Sequence, residues 1–228
     1  MTKDMKEYWN DKYWNKHLSD NGEENLDFLS DLWIEKYSDI FDNIPRGVAL
    51  DLGCGLGQYT QYLMDNGFDV ISCDISADVL KKLSERIQNA KTLELDMSNP
   101  FPFENKTFKL VFANLSIHYF DKATTKALLS EIRRVLADDG YFVGSVNSSQ
   151  TYKFIQDVAV ELEPNYYEEK DRRVRLWNKE QFDEFFSEYD FDVLEEVTTT
   201  RWERTKIMWE FLAKPKQLIL KNDNNKSK

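Results

Sequence analysis

The fold of this chain is decided by residues 48–58, which read Val48-Ala49-Leu50-Asp51-Leu52-Gly53-Cys54-Gly55-Leu56-Gly57-Gln58. A short apolar run is followed directly by three glycines within five positions, and a helical pattern begins at Gln58. Such a run is typical of a buried parallel strand. Glycines let a ligand approach the backbone, and the helix N-terminus behind them offers free N–H groups. This stretch therefore predicts an α/β fold with a ligand site at the carboxyl end of a strand.

Patterns typical of strands and helices alternate along the rest of the chain. The further predicted strands are 68–73, 92–95, 109–113, 141–146, 191–197 and 206–213. The predicted helices are 58–66, one capped by Ser76, one from Asp121 to a stop at Asp138-Asp139-Gly140, and one capped by Asn178. Strands that alternate with helices pair in parallel, whereas two consecutive strands form a hairpin. The pattern predicts an α/β fold with a doubly wound, seven-stranded, mostly parallel sheet ending in an antiparallel hairpin.

The domain organisation follows from where this alternation begins and ends. Residues 1–220 are predicted to form one domain, in which residues 1–43 are an N-terminal helical cap. Residues 148–178 are an insertion after the fifth strand, rich in tyrosine and charge. Two interpretations of this insertion are open, a solvated charged loop or a lid over a substrate. Residues 221–228 are polar and are expected to be a disordered tail.

The composition disfavours several classes of partner. The net charge of −11 arises from 41 acidic and 30 basic residues. This charge disfavours nucleic acids and anionic membrane surfaces as partners. We find neither a signal peptide nor the roughly 20 apolar residues that would cross a bilayer. With only two cysteines, Cys54 and Cys73, we expect a cytoplasmic protein without disulfides. We expect it to be either a monomer or a homodimer.

The spacing of the glycines separates the candidate ligands. A dinucleotide fold would require a glycine where Gln58 stands, and the Gly-Lys-Ser/Thr ending of a phosphate-binding Walker loop is missing. Asp51, two residues before the first glycine, would repel a pyrophosphate and suits a ligand with an ammonium and a sulfonium group. Asp74 and Asp96 follow the second and third strands, and Asp74 lies where a ribose would be held.

With these motifs, residues 45–147 resemble the class I S-adenosylmethionine-dependent methyltransferases, which have a Rossmann-like fold. The resemblance implies that the glycine turn holds the methionine part of the cofactor and that Asp74 binds its ribose. It also implies that the segment 114–119 lies under the methyl group and that the product is S-adenosylhomocysteine. The implied cofactor-binding residues are Asp51, Gly53, Cys54, Gly55, Gly57, Asp74, Ile75, Asp96, Met97 and Asn114. The turn Asp138-Asp139-Gly140 stands where the family usually has Pro-Gly-Gly.

The candidates for catalysis and acceptor binding lie after the fourth strand and outside the core motifs. His118 is a candidate general base because an unperturbed histidine titrates near pH 6.5, although structural packing is the alternative. Aromatic residues near the N-terminus and in the insertion are either packing residues or acceptor contacts. The candidate acceptor residues are Tyr13, Trp14, Tyr119, Tyr152, Tyr167 and Arg173. No metal-ligand cluster is recognisable, so no metal is expected.

Three functions are compatible with this sequence. The first is transfer of a methyl group from S-adenosylmethionine to a small-molecule acceptor by in-line displacement. The second is a non-catalytic regulator that binds S-adenosylmethionine. The third is a nicotinamide-dependent oxidoreductase, against which Gln58 argues because a third glycine is missing there.

Overall fold

The computed structural model of the protein describes residues 6–9, 32–155, 157–170, 172–201 and 204–217. Its strands are β1 (Val48–Leu52), β2 (Asp69–Asp74), β3 (Lys91–Glu94), β4 (Phe108–Asn114), β5 (Leu136–Asn147), β6 (Ala159–Glu163), β7 (Tyr166–Glu169), β8 (Arg172–Arg175), β9 (Tyr189–Arg201) and β10 (Arg204–Pro215). Its α-helices are α1 (Ser38–Phe41), α2 (Gln58–Asp65), α3 (Ala77–Arg86), α4 (Lys122–Val135) and α5 (Lys179–Phe185). Two 3-10 helices cover Trp33–Tyr37 and Ser149–Phe154. Most of the predicted N-terminal cap and the tail 221–228 lie outside the described residues.

The main sheet confirms the predicted fold class. Its seven strands are ordered β3-β2-β1-β4-β5-β10-β9. β1 pairs in parallel with β2 on one side and with β4 on the other, whereas β10 is antiparallel to both β5 and β9. The order therefore reverses direction between β1 and β4, which opens a crevice outside the carboxyl ends of these strands. The glycine turn after β1 lies at this crevice.

Both faces of the sheet are buried. Alternate residues of each strand point to opposite faces and therefore belong to different clusters. Leu50, Val111, Phe142 and Phe211 belong to a core cluster that includes the apolar residues of α4 and α5. Their chain neighbours Ala49, Leu110, Val143 and Leu212 belong to a second cluster, which includes residues of α1 and α2. Helices on both faces explain why the strands read as continuous apolar runs in the sequence.

The helix caps follow the sequence closely. The hydroxyl of Ser76 accepts from the backbone N–H of Val79 at the start of α3. Asp121 and Asn178 likewise cap α4 and α5 through the N–H groups three residues on. Each cap satisfies a donor that the first helical turn leaves without a partner.

The predicted end of the helix that begins after Asp121 is wrong. We expected it to stop at Asp138-Asp139-Gly140, but α4 ends at Val135 and β5 begins at Leu136. Phe108 pairs with Leu136 and Leu110 with Tyr141, so the two acids lie in an irregular part of β5. A Cβ on Gly140 would lie 3.0 Å from the carbonyl oxygens of Phe108 and Lys109. This glycine therefore permits close contact with β4 and does not end the helix.

The insertion contains a small sheet. β6, β7 and β8 form a three-stranded antiparallel sheet whose inner side chains Tyr167, Val174 and Leu176 are buried together. The interpretation of residues 148–178 as a solvated loop is therefore wrong, because these residues have a hydrophobic cluster of their own. Their role as a lid stays a prediction. Within the described ranges, no helix is both long and apolar enough to span a bilayer.

The hairpin strand β10 should contribute strongly to stability through Phe211. Its ring is fully buried and packs edge-on against Phe142, with the ring centroids 5.0 Å apart. We expect Phe211→Ala to lower the free energy of unfolding by about 3–5 kcal/mol, since it leaves a cavity between the sheet and α5. Urea denaturation measures this loss. The control Val160→Ala, at a site that is 63% exposed, should change it by less than about 0.5 kcal/mol.

Candidate active site

The glycine turn folds back on β2. Gly53, Gly55 and Gly57 have φ angles of 72°, 53° and 81°, in the left-handed region that only glycine adopts without strain. The carbonyl oxygen of Cys73 accepts from the N–H groups of Gly53 at 2.7 Å and Cys54 at 2.9 Å. A Cβ on Gly53 would lie 2.4 Å from the Cβ of Ser116, in the loop after β4. The turn therefore has its shape only with glycine at this position.

Asp74 closes the turn from the end of β2. One carboxylate oxygen accepts from the N–H of Gly55 at 3.1 Å, and the other accepts from the N–H of Ser76 at 3.0 Å. Burial raises the pKa of Asp74, and these backbone N–H groups oppose the shift. Each oxygen keeps a further lone pair, so the carboxylate can still accept from a pair of hydroxyl groups. Ile75 is buried beside it.

Asp51 lies beneath the turn and not at its surface. Its side chain accepts from the hydroxyl of Thr60 at 2.7 Å, and Thr60 lies 2.9 Å from the hydroxyl of Ser72. Burial raises the pKa of Asp51 to about 7, against the lowering effect of the Thr60 hydrogen bond. This carboxyl group therefore ionises less readily than an exposed aspartate does. Its predicted role in cofactor binding stays a prediction.

The other predicted cofactor residues border the turn in different ways. The carboxylate of Asp96 accepts from the N–H of Ser98 at 2.9 Å and from its hydroxyl at 2.7 Å. The terminal methyl group of Met97 lies 3.2 Å from the position of a Cβ on Gly53, which places Met97 against the turn. Cys54 packs with the apolar residues of α3, and burial raises the pKa of its thiol. Met97 thus contacts the glycine turn, while Cys54 joins it to α3.

Asn114 joins the end of β4 to the N-terminal segment. Its side-chain oxygen accepts from the hydroxyl of Ser145 at 2.6 Å and from the indole N–H of Trp33 at 3.0 Å. Glu210 pairs with Ser145 across β10 and β5, and it forms an ion pair with Lys36. A polar row therefore runs across three strands beneath residues 33–37.

His118 is buried in the loop that follows β4. Only 1% of the residue is exposed, and its Nε2 lies 3.1 Å from the side-chain amide nitrogen of Asn147. Burial lowers the pKa of His118 well below 6.5, and the charges of Arg172 and Lys206 lower it further. Both effects oppose a titration of this ring near pH 6.5. The role as a general base stays a prediction.

The loop from His118 to Asp121 is held by the insertion. The carbonyl oxygen of His118 accepts from the N–H of Arg175 at 2.7 Å, and that of Phe120 accepts from its guanidinium at 3.1 Å. The hydroxyl of Tyr166 donates to the carbonyl oxygen of Tyr119 at 3.3 Å. Arg175 is only 1% exposed and forms an ion pair with Glu163. Three consecutive carbonyl groups of the loop after β4 thus depend on β7 and β8.

The structure brings only some of the predicted acceptor residues to this loop. The ring of Tyr119 contacts His118, at a centroid distance of 4.4 Å, and Trp9, at 5.1 Å. Tyr152 and Tyr167 pack on each other within the insertion, and Arg173 pairs with Glu168 at its surface. Tyr13 and Trp14 lie outside the described residues. Lys6 pairs with Glu94 at the end of β3, so the segment 6–9 reaches the same edge of the sheet.

Several site residues were missed in the sequence. Thr60, which modifies the pKa of Asp51, lies within the first turn of α2, where a polar residue gives no distinct signal. Asn147 ends β5, and the rule that identified Asp74 at a strand end would have identified it too. The arginines of residues 172–175 were expected, as a group, either to be solvated or to belong to a lid, but the sequence does not indicate which of their side chains is buried.

This arrangement fits the adenosine and methionine parts of the expected cofactor. The turn has no Cβ where Ser116 approaches, the carboxylate of Asp74 can accept further hydrogen bonds, and Ile75 and Met97 supply apolar contacts. Among the described residues, no group of three or more His, Cys, Asp or Glu side chains is placed to share a metal ion. The fold and the turn together define an α/β domain whose crevice has the features expected of an S-adenosylmethionine site.

Comparison with known families leads to the same class. Residues 50–144 match the family described as a methyltransferase domain. The matched range runs from β1 into β5 and includes the turn and the acids after β2 and β3. The resemblance drawn from the motifs is confirmed.

Two curated relatives have different activities. The chain is 33% identical over 130 residues to the human mitochondrial arginine hydroxylase NDUFAF5, covering 55% of this chain and 36% of that protein. It is 30% identical over 103 residues to the malonyl-[acyl-carrier protein] O-methyltransferase of Hamiltonella defensa, covering 45% of this chain and 39% of that protein. The chain spans well under half the length of these relatives.

A solved structure shows the same fold over most of the chain. It is the 1,6-didemethyltoxoflavin-N1-methyltransferase of Burkholderia thailandensis, with 1,6-didemethyltoxoflavin and S-adenosylhomocysteine bound. The TM-score is 0.61 at 18% identity, over 84% of this chain and 86% of that one. At this identity the likeness shows the fold alone.

Loss of the hydrogen bond between Thr60 and Asp51 should weaken cofactor binding by an amount that depends on pH. Because the Thr60 hydroxyl lowers the pKa of Asp51, Thr60→Val raises it further and leaves less negative charge beneath the turn at pH 7. We expect roughly three- to tenfold weaker binding of S-adenosylmethionine at pH 7 and a smaller difference at pH 9, where a larger fraction of Asp51 is ionised in both proteins.

Calorimetric titration at the two pH values measures this effect. The control Ser84→Ala removes a hydroxyl that bonds to a carbonyl of α3, and it should leave the affinity unchanged. S-adenosylhomocysteine, which lacks the sulfonium charge, should lose less affinity than S-adenosylmethionine. Equal weakening at both pH values would exclude Asp51 as the cause.

Proposed function

We propose that the chain transfers a methyl group from S-adenosylmethionine to a small-molecule acceptor by in-line displacement. The observation that supports it most is the left-handed glycine turn closed by the carboxylate of Asp74. The residues proposed to hold the cofactor are Asp51, Gly53, Cys54, Gly55, Gly57, Asp74, Ile75, Asp96, Met97 and Asn114. The bound cofactor supplies an electrophilic methyl group, so the hard chemistry belongs to the cofactor.

The protein's part in the reaction is to position the acceptor and to exclude water. We propose that Tyr119 and Trp9 form one wall of the acceptor site, since their rings contact each other next to His118. The insertion holds the loop that carries Tyr119 through Tyr166 and Arg175. In this proposal residues 148–178 form a fixed wall where they hold the loop that carries Tyr119. Any lid motion is confined to those parts of the insertion that do not contact this loop.

His118 suits the positioning of an acceptor better than proton removal. A buried imidazole whose pKa lies well below 6.5 is a weak base at neutral pH. An acceptor that arrives without a proton on its attacking atom needs no base. The proposal therefore keeps His118 at the acceptor and assigns it a hydrogen bond to the substrate.

The partners and the cellular location belong to the same proposal. The net charge of −11 argues against a nucleic-acid acceptor, and two buried, free cysteines fit a cytoplasmic protein. One relative is mitochondrial by its name, so a test of location has to include that compartment. A monomer or a homodimer is expected.

A second candidate function comes from the human relative, whose name describes an arginine hydroxylase. The product separates the two activities, because methyl transfer adds one carbon and two hydrogens whereas hydroxylation adds one oxygen. A regulator that only binds S-adenosylmethionine would give neither product. The three outcomes are distinct in one mass-spectrometric assay.

The assay incubates the purified chain with methyl-labelled S-adenosylmethionine and a pool of metabolites. We expect label in a small molecule together with stoichiometric S-adenosylhomocysteine. An unlabelled product that has gained oxygen would support the hydroxylase. S-adenosylmethionine that binds to the protein but is not consumed would support the regulator.

Two glycine variants provide a matched control for this activity. Gly53 and Gly67 both have positive φ angles, so an alanine strains the backbone in either case by about 1 kcal/mol. A Cβ on Gly53 would meet Ser116, whereas one on Gly67 meets nothing within 4 Å. We expect Gly53→Ala to lose at least about a hundredfold in turnover, and Gly67→Ala to keep it. Equal activity of the two variants would contradict the role of the turn.

A further inference from the structure

His118 has one ring nitrogen with a partner and one without. Its Nε2 faces the side-chain amide nitrogen of Asn147, which can only donate, so Nε2 accepts. In a neutral ring the proton then lies on Nδ1. Among the described residues, Nδ1 is buried without a hydrogen-bond partner. A buried donor without a partner is costly, which points to a ligand that accepts from it.

The surroundings of this nitrogen distinguish it from the other buried polar atoms in the same situation. Trp177 Nε1 and Tyr189 Oη also have no partner among the described residues. Both lie in the aromatic cluster around α5, where the rings of Phe182 and Phe186 surround them. His118 lies at the carboxyl edge of the sheet, beside the predicted position of the methyl group. It is thus the one of the three that lies next to the proposed site of methyl transfer.

Two cationic side chains act on His118. Arg172 and Lys206 act on the ring through their charges and come from two different elements, β8 and β10. Glu169 partly offsets Arg172, because it accepts from Nε at 3.2 Å and from Nη2 at 2.7 Å. Among the described residues, Nη1 of Arg172 has no acceptor. A guanidinium with an unused N–H pair is suited to a carboxylate.

An aromatic wall completes the surroundings. The rings of Tyr8, Trp9, Tyr119 and His118 form a continuous series, with neighbouring centroids 5.2, 5.1 and 4.4 Å apart. Rings arranged in this way present both faces and edges to a flat acceptor. The charge of Arg172 acts on the phenol groups of Tyr8 and Tyr119, which places this arginine next to the same wall.

We infer that the acceptor is a small carboxylate with an apolar or aromatic body, bound by Nδ1–H of His118 and by Arg172. This inference rests on the proposed methyl transfer and names its substrate class. One carboxylate oxygen accepts from His118, and the other forms a bond to the methyl carbon while the carbon–sulfur bond breaks and its electron pair remains on sulfur. The products are a methyl ester and S-adenosylhomocysteine. The anion and the sulfonium neutralise each other, so no proton is released and no base is needed.

The tautomer of His118 tests the first step without any cofactor. The chain has only two histidines, so His17→Gln leaves the ring signals of His118 alone in a nitrogen-15 NMR spectrum. We expect a neutral ring with the proton on Nδ1, unchanged from pH 6 to pH 9. A proton on Nε2, or a ring that becomes charged within this range, would overturn the inference.

The second measurement uses benzoate and benzamide as probes in the presence of S-adenosylhomocysteine. The two probes have nearly the same shape and differ in charge. We expect benzoate to shift the Nδ1 signal of His118 and to bind at least about tenfold more tightly than benzamide. No shift with benzoate, or equal binding of the two, would overturn the inference. Failure to bind S-adenosylhomocysteine would instead contradict the proposed function.

Neighbouring arginines on β8 provide the matched variants. Arg172 and Arg173 each pair with a glutamate of β7, Glu169 and Glu168 respectively, and point to opposite faces of the small sheet. Arg172→Gln should abolish the preference for benzoate, whereas Arg173→Gln should keep it. Arg172→Lys, which retains the charge, should restore part of the preference. Equal behaviour of the two glutamine variants would exclude Arg172 as the anion contact.

Discussion

The hydrogen bond from the N–H of Gly55 to the carboxylate of Asp74 is the constraint on which the rest of the site depends. It joins the turn after β1 to the end of β2, and Asp74 can approach because the turn is left-handed. The same carboxylate accepts from the N–H of Ser76, whose hydroxyl caps α3. One buried acid thus fixes the turn and the start of a helix. Its burial is tolerated because backbone N–H groups replace water around it.

The loop that follows β4 is held by a second buried charge. Arg175 is satisfied by the carbonyl oxygen of Phe120, the carbonyl oxygen of Pro164 and the carboxylate of Glu163, which also accepts from the N–H of Lys122. A buried ion pair of this kind adds little net stability, yet loss of one partner leaves an uncompensated charge. Its consequence here is geometric, since it fixes the loop that carries His118 relative to the turn.

The sequence predicted those parts of the site that depend on local patterns. The glycines, Ser76 and the strand-end acid Asp74 are recognisable because turn, cap and strand geometry each restrict the residue type. The burial of His118 and of Arg175 depends on an insertion whose fold has no periodic signal, so charge alone suggested a solvated loop. The end of α4 was placed too late because Gly140 is typical of helix ends, whereas here it is required by close contact with β4.

The most direct test of the account is the affinity of the cofactor for a protein in which only the charge of Asp74 is removed. Calorimetric titration with S-adenosylmethionine should show binding to the wild type, and Asp74→Asn should weaken it by about 1–3 kcal/mol through the loss of charge-assisted hydrogen bonds. Asp78→Asn, which removes an exposed acid four residues later, should bind as the wild type does. Wild-type affinity in Asp74→Asn would contradict the central claim that this carboxylate holds the cofactor.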